Sequence, residues 1–345
     1  VTPPPASAPP PGEPAPPSGE HARSHGRRAA ADPTADPTAF RVAILAWFEE
    51  HGRRLDIRSF APDPWAVLVS EVMAQQTQIG RVEERLPAFL ATFPTPDAMA
   101  AAAPADVVRA WRGLGYNRRA IALHRTATAI AAAGGRVPGD LAALQALPGV
   151  GPYTARAVAA IAFGQPVGAV DVNVRRVVGR LVSSDAAPLP ARSLQATADR
   201  LVDPDRPGAW THAVMDLGAT ICRPVTPACP SCPARPWCVT AATRGAAAGR
   251  KPNRDRRAAR PTRPAPVPFE LTMRWLRGRI VDRLRDVPPG AAVPFDGPLG
   301  SHLADAVAAA LGALAREGIV ELDAAGHARL AGHRPGAPAA GGARA

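Results

Sequence analysis

The sequence predicts an all-α main domain followed by a small α/β module. Three observations carry this expectation. From Phe40 to Phe163 apolar residues recur at helical spacing in one segment after another, and no alternating apolar run appears before residue 318. All four cysteines, Cys222, Cys229, Cys232 and Cys238, fall in one short loop with the spacing Cys-x6-Cys-x2-Cys-x5-Cys. A basic, proline-broken stretch over 244–263 then separates this region from two further apolar helices and a hairpin pattern.

The chain has 345 residues, enough for two folded units plus tails. Residues 1–38 are proline-rich with almost no large apolar side chains, so they bury too little surface to offset ordering entropy and are expected to be disordered. Val42, Ile44, Leu45, Trp47 and Phe48 then form one helical apolar face. Helices are predicted over Trp65–Gln76, Ile79–Phe93, Ala105–Leu114, Arg118–Ala133, Leu141–Leu147 and Pro152–Phe163, with glycines between them. Trp275, Leu276, Ile280, Val281 and Leu284 mark a helix after the linker, and Leu303, Val307, Leu311 and Leu314 another. Ile319–Leu322, a turn at Asp323–Gly326 and His327–Leu330 read as a β-hairpin. Two helices and a hairpin make a winged-helix-like module, a shape used both for DNA binding and for protein contacts.

Hydrophobic residues at 46% and charged residues at 20% suit a soluble globular chain. No window approaches ~18 consecutive apolar residues and the N-terminal stretch has no apolar signal core, which places the expected location in the cytoplasm or nucleoid with no membrane contact. The formal net charge is +12, and among the 41 basic residues Lys251 is the sole lysine. An excess of positive charge points to a polyanion such as DNA as partner. Four clustered thiols in such a compartment point to a metal site, which zinc and an iron–sulfur cluster both satisfy.

Leu147-Pro148-Gly149-Val150-Gly151 lies between two predicted helices. Its glycines allow a tight turn, and the next helix N-terminus offers free N–H groups to a phosphate, as in a helix-hairpin-helix motif. Beyond it comes Val170-Asp171-Val172-Asn173-Val174. Asp171 and Asn173 can each cap the following helix, so Asp171 is expected to be free for other work. Glu71 would by default be a solvated helix charge, but Val67, Leu68, Val72 and Met73 set it beside apolar surface, where a carboxyl pKa rises.

The hairpin, the aspartate after it and the four-cysteine loop, in this order over about residues 40–240, resemble the helix-hairpin-helix DNA glycosylase superfamily that carries an iron–sulfur cluster. Ser70-Glu71-Val72-Met73-Ala74-Gln75-Gln76-Thr77-Gln78 resembles the segment of its adenine DNA glycosylase (MutY-like) branch. The resemblance implies a two-lobed fold, a six-helix barrel (about 63–165) and a [4Fe–4S] helical lobe (39–62 and 166–242), with the substrate base flipped into the cleft between them. It makes Cys222, Cys229, Cys232 and Cys238 the cluster ligands. Endonuclease III-like members carry a catalytic lysine where this chain has Tyr153, so a lysine Schiff base is not expected. Glu71 and Asp171 become the catalytic pair: one carboxyl protonates adenine N7, the other stabilises or captures the oxocarbenium ion. Tyr153 and Asn173 would orient the aspartate or the intermediate. Gly113-Leu114-Gly115-Tyr116 resembles the family loop whose tyrosine wedges into the DNA stack, and Gln75, Gln76, Gly149, Gly151 and Arg58 are the further expected DNA contacts.

The chain departs from the family at several points. Leu55-Asp56-Ile57-Arg58 keeps the arginine but puts Ile57 where an aromatic usually walls the base pocket, and His212 replaces an amide or small residue. Gly300-Ser301-His302 is a faint echo of the family's recognition loop in a shorter C-terminal module. The expected organisation is a tail (1–38), a glycosylase domain (39–242), a basic linker (243–268), the module (269–333) and a flexible tail (334–345). The expected activity is monofunctional removal of adenine opposite 8-oxoguanine or guanine in double-stranded DNA, by a monomer. A related glycosylase acting on another mismatch, such as thymine opposite guanine, and a non-catalytic lesion-binding protein are the alternatives.

Overall fold

Residues 32–183, 189–247 and 267–332 are described by the computed structural model. The expectations for residues 1–31, for 248–266 of the basic linker and for the tail from 333 lie outside the described residues. Two hydrophobic cores organise the helices. Around the first stand α2 (Pro64–Ala74), α3 (Ile79–Thr92), α4 (Pro96–Ala101), α5 (Pro104–Ala110), α6 (Arg118–Ala132), α7 (Leu141–Ala146) and α8 (Pro152–Ala162). They bury Leu68, Met73, Leu86, Met99, Trp111, Leu123 and Ile130. The second core belongs to α1 (Thr38–His51), α9 (Val172–Val182), α10 (Ala191–Leu201), α11 (Pro207–Thr220) and α12 (Val239–Ala247), which gather about Phe40, Ile44, Leu45, Leu181, Trp210 and Leu217. Helix α8 packs on both α2 and α11 and so joins the lobes.

Local chemistry sets the helix starts. Proline occupies the first turn of α2, α4, α5, α8 and α11, where its missing N–H costs nothing. Asp63, Thr95, Asp140 and Asp171 cap α2, α4, α7 and α9 through side-chain oxygens. Helix α4 had no sequence signal, because six residues with one large apolar side chain, Met99, show no period. The helix expected to reach Leu114 ends at Ala110, since Gly113 (φ +87°) and Gly115 (φ +69°) turn the chain out of helical space. Val42, expected on the apolar face of α1, is 64% exposed, and that face is built instead by Phe40, Ile44 and Leu45.

The C-terminal segment forms α13 (Met273–Arg285), α14 (Ala304–Arg316) and an antiparallel hairpin of β1 (Val320–Leu322) and β2 (Ala328–Leu330), in register Val320↔Leu330. Its interior, Leu276, Ile280, Leu284, Val307, Leu311 and Leu314, is continuous with the first core. Arg285 fastens the contact: its guanidinium donates to the Val108 carbonyl (3.0 and 2.8 Å) and to Asn117 Oδ1 (2.9 Å). Among the described residues no helix is long and apolar enough to cross a membrane.

The α7–α8 hairpin uses its glycines unequally. Gly149 has φ +82°, and a Cβ there would stand 2.9 Å from Ala122 Cβ. Gly151 is ordinary (φ −83°), with nothing within 4 Å of a Cβ, so only one of the two glycines expected to make the turn is required by it. Gly149→Ala is expected to cost about 1–3 kcal/mol by strain and crowding. Gly151→Ala, an N-cap change without strain, is expected to cost no more than about 1 kcal/mol. Denaturant midpoints of the two variants check this difference.

Candidate active site

Glu71 lies in the middle of α2, partly buried, among Leu68, Val72 and Met73. Tyr153, in the first turn of α8, donates its hydroxyl to Glu71 Oε2 at 2.8 Å. Burial first, then the charge of nearby Asp171, lifts the Glu71 carboxyl to about 7 against the opposing effect of the Tyr153 hydrogen bond. Burial and the adjacent Glu71 raise the Tyr153 phenol in turn, so it remains a hydroxyl donor.

Asp171 is itself the cap of α9, not the spare group expected from sequence. Its Oδ1 accepts from the backbone N–H of Asn173 (2.9 Å) and Val174 (2.7 Å), and its Oδ2 from Asn173 Nδ2 (2.9 Å). Three donors fix the carboxylate's orientation, and its charge adds to the upward shift of the Glu71 carboxyl. Tyr153 serves the glutamate and Asn173 the aspartate, which divides the role expected of both. Asn173 is held by Arg176 Nη2 (2.8 Å to Oδ1), and the same guanidinium donates to the carbonyls of Gly218 and Cys222 (both 2.6 Å). Gly218 is required here, because a Cβ would lie 2.6 Å from Asn173 Cβ.

A second group forms around Arg119, a buried cation in the first turn of α6. It donates to the carbonyls of Val72 (3.0 Å), Met73 (2.8 Å), Leu114 (2.8 Å) and Gly115 (3.0 Å), to Gln75 O, and to Thr77 Oγ1 (3.0 Å). Burial draws its pKa down to about 10, which still leaves it charged at neutral pH. A cation here satisfies the orphan carbonyls at the C-terminus of α2 and opposes the helix dipole. Gln75 is tied to Thr154 Oγ1 (3.3 Å), and Gln76 (φ +56°) and Tyr116 (φ +45°), chain neighbours of groups that Arg119 bonds, are left-handed non-glycine residues.

Residues 69–204 match the HhH-GPD superfamily base excision DNA repair protein family. The adenine DNA glycosylase of Mycolicibacterium smegmatis is 40% identical over 294 residues, covering 84% of this chain and 96% of the relative. That of Mycobacterium tuberculosis is 43% identical over 250 residues (70% and 77%), and that of Homo sapiens 42% over 207 residues (56% and 38%). This chain belongs to the adenine DNA glycosylase family. A thermostable thymine-DNA glycosylase structure is similar at TM-score 0.57 and 27% identity, covering 61% of this chain and 100% of the other. An endonuclease III–DNA complex (TM-score 0.52, 23% identity, 62% and 98%) shares the fold.

Arg58, an expected DNA contact, is engaged within the protein. Its Nη2 donates to Asp216 Oδ1 (2.8 Å), which also takes Arg53 Nε (2.7 Å), while Asp216 Oδ2 takes the Arg53 N–H (2.8 Å); Asp216 is fully buried. A lone buried carboxylate is costly, so both arginines are committed to it. His212 lies against this cluster, and burial together with Arg58 lowers it to about 4, leaving the ring neutral. Ile57 packs on the first core, and His302 is spent within the module, stacked on Trp275 at 5.8 Å and bonded to the Glu270 carbonyl (3.0 Å).

The cysteines lie between the end of α11 and the start of α12: Cys222 comes just after α11, Cys229 opens a 3₁₀ turn (Cys229–Ser231) that Cys232 closes, and Cys238 follows a second turn, Arg235–Trp237. Cys222, Cys232 and Cys238 pack against the second core. Burial pushes the Cys232 thiol up to about 12 and raises Cys238, and the other thiols of the loop add to both shifts. Polar N–H groups face the sulfurs: Arg180 Nη1 reaches Cys222 Sγ (3.6 Å) and the Ala241 N–H reaches Cys238 Sγ (3.4 Å). Among the described residues no three His, Cys, Asp or Glu side chains converge as the ligands of one metal ion.

Sequence reasoning missed Arg119, Arg176 and Asp216. Arg119 left a readable signal: it falls in register with Leu123, Ala127 and Ile130 on the buried stripe of α6. Asp216 sits likewise between buried Ala213 and Leu217.

Proposed function

We propose that the chain excises adenine mispaired with guanine or 8-oxoguanine in double-stranded DNA, hydrolysing the N-glycosidic bond as a monofunctional, monomeric enzyme on nucleoid DNA. One observation carries this reading: a carboxyl raised to about 7, held by a tyrosine hydroxyl, beside a second carboxylate that three N–H donors orient. Adenine leaves readily once N7 is protonated. Glu71 supplies that proton, and breaking the bond leaves positive charge on the sugar, which Asp171 stabilises or captures. Asn173 keeps Asp171 in place, while Tyr153 keeps the Glu71 carboxyl directed into the cleft. Gln75 and Gln76 contact the strand opposite the extruded base, Tyr116 wedges into the stack beside the opposite base, and the Gly149 turn with the α8 N-terminus holds a phosphate. Arg58 supports the pocket from behind through Asp216. The division into a glycosylase domain (39–242) and a module (269–333) belongs to the same reading, with the module docked on the barrel core.

The donor set of Cys222, Cys229, Cys232 and Cys238 fits a [4Fe–4S] cluster. Four thiolates each bind a different iron, so they need not meet at one point, and N–H groups toward the sulfurs favour the charged form. Bound there, the cluster supplies structural rigidity to the loop that would lie against DNA.

Glu71→Gln is expected to bind mismatch duplex nearly as the parent does and to lose ~10²- to 10⁴-fold in single-turnover adenine release. Borohydride should trap no covalent adduct, as Tyr153 offers no amine. Near-normal release by Glu71→Gln would refute its role as acid. For the metal, purified protein is expected to be yellow-brown with iron and sulfide in equal amounts, and Cys232→Ser to lose both; a colourless, active zinc protein would contradict the assignment.

A further inference from the structure

The ring of Tyr116 is engaged by two guanidinium groups. Arg119 Cζ lies 5.7 Å from its centroid, and Arg274 Cζ, from the first turn of α13, lies over it at 4.2 Å. Tyr116 and Arg274 edge a cleft of about 550 Å³ between the Gly113–Arg118 loop and α13. The other arginines that α13 contributes to this cleft are neutralised: Arg277 pairs with Glu317, and Arg279 and Arg285 with Asp282. Arg274 is exposed and, among the described residues, has neither an ion pair nor a hydrogen bond; its partners are the rings of Tyr116 and Phe269, the latter at 5.8 Å. Tyr116 meanwhile has a left-handed backbone that a bulky side chain adopts only when its surroundings hold it.

We propose that Arg274 is a positioning residue for Tyr116, so that the C-terminal module acts on base extrusion by presetting the wedge ring. A cation with no carboxylate partner gains most by lying on an aromatic face, and a ring so held loses less freedom when it enters the base stack. Because the module shares its core with the barrel, α13 is a rigid support for the contact. His302, the module's nearest echo of a recognition-loop histidine, is engaged by Trp275 and Glu270 inside the module, whereas Arg274 reaches the Tyr116 ring. The inference rests on the reading of Tyr116 as the DNA wedge.

The test is a double-mutant cycle on the full-length protein, with Tyr116→Ala, Arg274→Ala and the pair, reading single-turnover adenine release opposite guanine. A 2-aminopurine beside the opposite base reports ring stacking by its quenching. Arg274→Ala is expected to slow release by about 3- to 30-fold, the span of one cation–π contact, and to reduce the quenching. The double variant should match Tyr116→Ala alone, Arg274→Lys should recover part of the loss, and the salt dependence of binding should keep its slope. A phosphate contact would instead shrink that slope by about one and make the two losses multiply, which would overturn the proposal. Normal release by Arg274→Ala beside an impaired Tyr116→Ala would overturn it while leaving the wedge reading intact. Unimpaired release by Tyr116→Ala would remove the wedge reading and this inference together.

Discussion

One buried guanidinium, that of Arg119, sets the geometry on which the site depends. The last turn of α2 is partly to fully buried, and its carbonyls have no helical partner. Arg119 meets the carbonyls of Val72, Met73 and Gln75 and, with the same fork, those of Leu114 and Gly115. The helix that carries Glu71 and the loop that carries Tyr116 are therefore joined through one side chain. A lysine, with one point charge and three donors, could not span both ends, which is why the planar fork matters here.

From that frame the two carboxyls acquire different environments on helices of different lobes. Glu71 rides on a helix buried along most of its length and meets one hydroxyl; Asp171 sits at a helix start and meets three N–H donors. The first setting favours the neutral acid and the second a fixed acceptor, the two environments that the proposed proton donor and charge stabiliser need. Arg176 extends the aspartate's side of this arrangement to the cysteine loop, joining Asn173 to the Cys222 carbonyl through one side chain. The loop's conformation and the aspartate's orientation are thereby mechanically linked.

Much of this was legible because it is local. Helix periodicity placed α2, α3, α6, α7 and α8 to within a residue or two, and the hairpin at 319–330 followed from its alternation and its turn. Short-range motifs likewise located Glu71, Tyr153, Asp171 and Asn173, which the fold brings together from three helices. What stayed hidden depends on distant pairing. The pairing of Arg58 with Asp216, far along the chain, leaves no local signal. Asp171 reads as a spare carboxyl until the backbone shows that Asn173 lies inside the helix and cannot be its cap. The stacking of Arg274 on Tyr116 joins residues of two different modules, and no periodicity announces it.

The central claim is that burial keeps Glu71 protonated near neutrality so that it can give its proton to the leaving base. The direct measurement is the single-turnover rate of adenine release from pH 5.5 to 9 under saturating enzyme. A carboxyl whose folded pKa is raised from 4.5 to about 7 is the acid form below that pH and is lost above it. The account thus predicts a rate that falls as pH rises through about 7, approaching tenfold per unit on the alkaline side, with this limb absent from the residual activity of Glu71→Gln. A rate that stays level from pH 6 to 8.5, or the same falling limb in Glu71→Gln, would contradict it.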